Sequence, residues 1–134
     1  MCIRDRSYAS PTERGNDAVD AMIADARANG ASEDDVRGTY FTQGWLVGIM
    51  IESALRNCAG DCDGEQFKAA LESLDVDTGR LGGRLTMAPD DHGLQSQVRT
   101  FTWDAAQGQA VPLSEFQDVT ETAYVGEVVR GSAG

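Results

Sequence analysis

The residues whose types and spacing could support chemistry are two cysteines, one histidine, an acidic triplet and a glycine-rich run. Cys58 and Cys62 flank a tight Ala-Gly-Asp turn between two helical stretches. Three states are open to them. A small disulfide closes the turn, with a gain at the low end of the ~0–5 kcal/mol range because so short a loop removes little chain entropy. Two free thiols are the second state. Zinc is the third, but two thiolates and one distant histidine do not make four ligands. A redox pair normally has two intervening residues, where this pair has three. Cys2 lies in an anomalous leader and carries no weight.

His92 is the lone histidine and sits among Pro89, Asp90, Asp91 and Gly93, which read as a turn. General acid–base work needs a pocket and a nucleophile beside it. No nucleophile motif accompanies it, so a histidine bonding to its own turn is the expectation. Glu33, Asp34 and Asp35 lack the spaced oxygen ligands and glycine of a calcium loop and read as a solvated loop. Gly79-Arg-Leu-Gly-Gly83 lacks the Gly-Lys-Ser/Thr ending of a phosphate loop and opens no helix. These residues give no catalytic, metal or cofactor constellation, and the expectation is a protein that is not an enzyme.

The elements that must position these residues centre on one stretch, 38–58, the most apolar of the chain. At 100° per residue, Gly44, Val47, Gly48, Ile51, Ala54, Leu55 and Cys58 fall on one side. Thr42, Ser53, Arg56 and Asn57 lie opposite, with Trp45 and Ile49 among them. A helix apolar over most of its circumference is a buried helix. Val47, Ile51, Ala54 and Leu55 are therefore expected in the core, with Arg56 and Asn57 accessible. Gly48→Leu is expected to disrupt packing at a cost of about 1–3 kcal/mol. The uninterrupted apolar run 46–51 is far below the roughly 20 residues that span a bilayer.

Around this helix, Asn16 or Asp17 caps a first helix with Val19, Met22, Ile23 and Ala26 at helical spacing, closed by Gly30. Asp63 and Gln66 form a capping-box pattern before Phe67, Ala70, Leu71 and Leu74. Residues 85–87 read as a short strand. Residues 98–103 alternate and lead through Gly108 to 110–113, a hairpin whose second strand Pro112 marks as an edge. The 134 residues suffice for one domain core. A net charge of -11 and a pI near 4.3 oppose binding to nucleic acid or an anionic membrane. Residues 1–15 show no apolar run of signal-peptide length and no periodicity; they read as a non-native or disordered leader, such as adapter read-through. Residues 118–134 read as a loose tail, with 124–129 a candidate strand.

The order of these elements resembles the leucine/isoleucine/valine-binding type (type I) of periplasmic substrate-binding protein of ABC transporters. Tyr40-Phe-Thr-Gln-Gly-Trp45, running on through Ala54 and Leu55, looks like a helix in the C-terminal half of that family. Residues 63–74 are similar to its next helix. Asp77-Thr-Gly79 with Leu81-Gly-Gly83 resembles the glycine-rich lead into its last lobe-crossing strand. The run from Leu85 to His92 resembles a strand ending in an Asp-His-Gly turn, and 98–116, with Trp103-Asp104, resembles the closing hairpin. The resemblance covers 16–117 and implies an α/β fold fragment: helices of one lobe plus a C-terminal β-hairpin.

The family's proteins are far longer, so the resemblance implies the C-terminal part of a solute-binding subunit for branched-chain or other amino acids, or related small polar molecules. It implies two lobes closing over the ligand, an ABC permease as partner, no cofactor, and a periplasmic or extracytoplasmic location. That location is oxidising, which favours joining Cys58 to Cys62. Ligands in open α/β sheets lie beyond the carboxyl ends of strands, near helix N-termini, which makes Tyr40 the candidate ligand-facing residue. The missing lobes imply that the isolated chain binds no amino acid and exposes apolar surface around Trp45, Ile49 and Met50. Rival readings are the sensor domain of a receptor, a small α+β enzyme using His92 with Asp90 or Asp91, and a structural interaction module.

Overall fold

Asn16 opens the first helix. In the computed structural model, which describes residues 3–38, 40–58 and 60–118, α1 spans Asp17–Ala28, and the Asn16 side chain accepts from the Ala18 amide at 3.2 Å. A helix start leaves amides without partners, and such a cap satisfies one of them. Val19, Met22 and Ala26 are buried, and Gly30 follows at φ 93°.

The acidic triplet is not a loop. It forms α2, Glu33–Arg37, through a capping box: the Ser32 hydroxyl accepts from the Asp35 amide, and the Asp35 carboxylate accepts from the Ser32 amide at 2.9 Å. Hydrogen bonds from the Ser32 hydroxyl and then its amide hold Asp35 below the usual carboxylate range.

The long helix α3 spans Phe41–Asn57, with Tyr40 at its N-cap. Its orientation corrects the sequence reading. Thr42, Leu46 and Ala54 face inward and are buried, with Trp45, Ile49 and Met50 packed partly buried against the core. Val47, Ile51 and Leu55 face out, 39, 42 and 55% exposed. Of the four residues expected inside, Ala54 alone is buried; Arg56 and Asn57 are exposed as expected. The helix carries two apolar stripes, and a periodicity argument cannot choose between them; the packing partner does. The expected disruption by Gly48→Leu is corrected with it, because nothing lies within 4 Å of a Cβ added at Gly48.

α4, Gly64–Leu71, packs beside α3 and starts at the Asp63–Gln66 box, both of whose hydrogen bonds form, at 2.9 and 3.0 Å. Ala70 and, just beyond the helix, Leu74 are buried.

Two antiparallel sheets complete the fold. One pairs β2, Asp75–Asp77, with β3, Arg84–Thr86. The other centres on β4, Gln97–Asp104. It pairs with β1, Ile3–Arg6, on one side and with β5, Gln109–Pro112, in the expected hairpin. β6, Gln117–Asp118, pairs with the start of β4 at Gln97 and Val98. The core gathers Ala9, Val19, Met22, Leu46, Leu74, Leu81 and Leu85.

The leader is a second correction. Residues 3–6 form β1, and the following segment is tied down along its length. The Ala9 amide donates to the Leu81 carbonyl at 2.6 Å, Gln95 Nε2 donates to the Ser7 carbonyl at 2.6 Å, and Arg80 Nη1 donates to the Gly15 carbonyl at 3.0 Å. All three partners lie far along the chain, so no local pattern announces them. Residues 119–134, including the candidate strand 124–129, lie outside the described residues. Asp118, expected in a loose tail, is in β6.

Candidate functional site

Tyr40 sits where α3 begins and is 73% exposed. It borders a groove of ≈ 930 Å³ between the C-terminal end of α1 and the first three turns of α3. Ala26, Gly30 and Ala31 form one wall; Phe41, Trp45 and Ile49 form the other, with Gly44 and Gly48 between them. The Phe41 and Trp45 rings stand 6.2 Å apart, tilted by 31°. Little polar capacity is free inside. Asn29 Nδ2 is spent on the Asp25 carbonyl at 2.8 Å, and Glu52 accepts twice from Arg56, at 3.0 and 2.7 Å. The groove is walled mainly by apolar side chains, with Tyr40, Asn29 and Glu52 as its polar side chains among the described residues.

His92 does not line this groove. Its ring does not bond to its own turn as expected; Nε2 lies 3.1 Å from Glu72 Oε1, at the end of α4. The turn closes through Asp91 instead, whose carboxylate accepts from the Gly93 amide at 2.8 Å and whose backbone pairs with Ala88. Glu72 also accepts from Lys68 Nζ at 2.7 Å. Lys68 first and His92 second hold the Glu72 carboxyl below the usual range, and Glu72 raises Lys68 in return. Asp90 and Asp91, which the rival enzyme reading pairs with His92, are exposed and make no bond to it among the described residues.

Cys58 and Cys62 are joined, with their Cα atoms 5.5 Å apart. The bridge fastens the C-cap of α3 to the residue before the Asp63 cap of α4. Cys62 holds φ 52°, a left-handed conformation unusual for a residue with a side chain. It lets the chain reverse between the two helices.

A buried ion pair escaped the sequence reading. Arg99 on β4 and Glu13 in the supposed leader are each 1% exposed and meet at 2.9 Å. Arg99 Nε donates to the Ser114 carbonyl at 2.8 Å, and its guanidinium lies 5.4 Å from the Phe101 ring centroid and 5.6 Å from that of Phe116. Asn16 Nδ2 donates both to Glu13 at 3.2 Å and to the Arg80 carbonyl at 3.0 Å. A buried charge persists where it is paired and its remaining donors are bonded. Glu13 Oε2 is buried without a hydrogen-bond partner, while the other bonds tie the N-terminal segment, the 79–83 turn and the hairpin together. Its sequence signal was the alternation of β4, which sets Arg99 on the same face as Phe101.

No protein-family profile and no curated protein matches the sequence. Solved structures do match. A branched chain amino acid ABC transporter from Thermus thermophilus with bound valine superposes with a TM-score of 0.75 at 16% identity, over 96% of this chain and 35% of that one. An ABC transporter permease from the Pseudomonas fluorescens group superposes with a TM-score of 0.65 at 18% identity, over 98% of this chain and 34% of that one. The described residues have the fold of part of a periplasmic binding protein. The chain spans about a third of the length of either solved chain.

Within that part, the structure brings Tyr40 to a groove, joins the two cysteines and leaves His92 in a surface ion cluster. No helix among the described residues is long and apolar enough to cross a membrane.

Proposed function

We propose that this chain is part of the solute-binding subunit of an ABC transporter, serving branched-chain or other amino acids or related small polar molecules. The observation that carries the reading is the superposition on the valine-bound transporter protein, with a TM-score of 0.75 over 96% of the chain. The intact subunit captures its solute outside the cytoplasm by closing two lobes and delivers it to a permease without chemical change. The Cys58–Cys62 bridge fits an oxidising compartment.

The reading is tested by calorimetry with valine, leucine and a panel of other amino acids on the product of the full reading frame containing this sequence, beside the 134-residue chain. Binding by the longer product and none by the chain alone is expected. A longer product that binds no member of the panel, or a chain that binds one by itself, would sink it.

A further inference from the structure

The outward stripe of α3 has the shape of a surface made to be covered. Val47, Ile51 and Leu55 form an exposed apolar ridge at helical spacing, and Gly44 and Gly48 cut a notch in it where an added Cβ meets nothing within 4 Å. A hollow lies on each side of Gly48: the α1–α3 groove, and a second of ≈ 490 Å³ beside Ile51 and Leu55. Ridges seat into grooves when helices pack, and missing side chains let the partner approach the backbone closely. This chain accounts for 35 and 34% of the two solved chains whose fold it shares, so most of such a molecule lies outside it. A second copy is the weaker occupant, because each copy adds a net charge of -11.

We infer that the Gly44–Val47–Gly48–Ile51–Leu55 stripe is an intramolecular seam, packed in the intact protein against an apolar element from the remainder of the longer chain. The inference rests on the function proposed above, and it adds the place where the two parts of the molecule join.

Gly48→Leu and Ile51→Asp, made both in the product of the full reading frame and in the 134-residue chain, test it. In the longer protein each is expected to lower the melting temperature by on the order of 5 °C or more. In the 134-residue chain Gly48→Leu leaves it unchanged or raises it, and Ile51→Asp changes it little. If Gly48→Leu leaves no folded longer protein while the short chain tolerates it, the seam is supported, and Gly48→Ala supplies the measurable shift. A longer protein whose melting temperature ignores both changes overturns the inference. So does a longer protein that sediments as a dimer and becomes a monomer on Ile51→Asp, which gives the stripe to a second copy. Solute binding by that same protein is scored separately. Binding with an insensitive melting temperature removes the seam alone, whereas a sensitive melting temperature without binding removes the function alone. A reading frame no longer than this chain overturns both.

Discussion

The two sides of α3 meet opposite fates. Inward, Leu46 presses so closely on the backbone of Gly82 that a Cβ there would lie 2.6 Å from Leu46 Cδ1. Outward, Gly48 faces open space. The same contrast holds for charge. Glu13 and Arg99 are sealed in the interior, while Glu72, its side chain 12% exposed, pairs with Lys68 and His92, whose side chains are each 60% exposed. Both sides of α3 carry large apolar residues, so apolar content shows that a helix wants partners without showing which partners it has. The interior side is closed by segments far away in sequence, and its energetics should differ in kind from those of the open side.

The largest effect should come from breaking the interior pair. Glu13→Ala leaves the Arg99 guanidinium buried without its counter-charge, and removing one partner of such a pair typically costs about 3–5 kcal/mol. Glu52→Ala, which removes the exposed partner of Arg56, should cost less than about 1 kcal/mol. Urea unfolding of both variants measures the two costs. Equal midpoints would show that Glu13 and Arg99 are not enclosed as described. The pair would also hold the N-terminal segment in place, so β1 should lose protection against amide exchange in Glu13→Ala.

The next effect compares glycines. Gly82→Ala must push Leu46 aside or shift the turn, and overpacking of this kind costs about 1–3 kcal/mol. Gly48→Ala meets nothing and replaces a helix-interior glycine, which should stabilise the 134-residue chain by up to about 1 kcal/mol. Opposite signs in thermal unfolding are the expected result. A loss at Gly48 in the short chain would mean that the outward side is already occupied there.

The elements defined by local signals were legible in the sequence. Asn16, the Asp63–Gln66 box, the Gly30 end and the hairpin around Gly108 are each written within a few residues, and each appears where its signal lies. What was not legible depends on distant partners. β1 is recognisable through its pairing with Arg99–Thr102, far along the chain. Glu13 looked like part of a leader because Arg99, which makes it interior, gives no sign in a window around residue 13. The short helix α2 was missed for a different reason. Its capping box uses aspartate rather than glutamate at the third position, and the three acids together looked like solvated loop. The orientation of α3 was misread because both its stripes satisfy the helical period. Fold-level reasoning singled out Tyr40 as ligand-facing; that it borders a groove walled by α1 and α3 required the packing itself.

The smallest predicted effect belongs to the surface cluster, and its pH dependence separates it from the interior pair. Lys68 and then His92 lower the Glu72 carboxyl below its ordinary value of 4.5. A carboxyl whose pKa is depressed on folding contributes stability that is present above its unfolded pKa and is lost as pH falls through the folded one. The Glu72 contribution should therefore be present above its ordinary value and be lost as pH falls through its lowered, folded-state value, where both states take up the proton. Comparing thermal unfolding of the wild type and Glu72→Gln across pH 3–7 isolates it: a small difference at neutral pH should shrink to nothing at the acid end. Salt should act in the same direction, because exposed pairs are screened and enclosed ones far less so. At 1 M salt the Glu72→Gln difference should largely vanish, while the Glu13→Ala difference persists. A Glu72→Gln difference that persists at the acid end, or that survives high salt unchanged, would place this cluster in an enclosed setting and remove the contrast between the two networks.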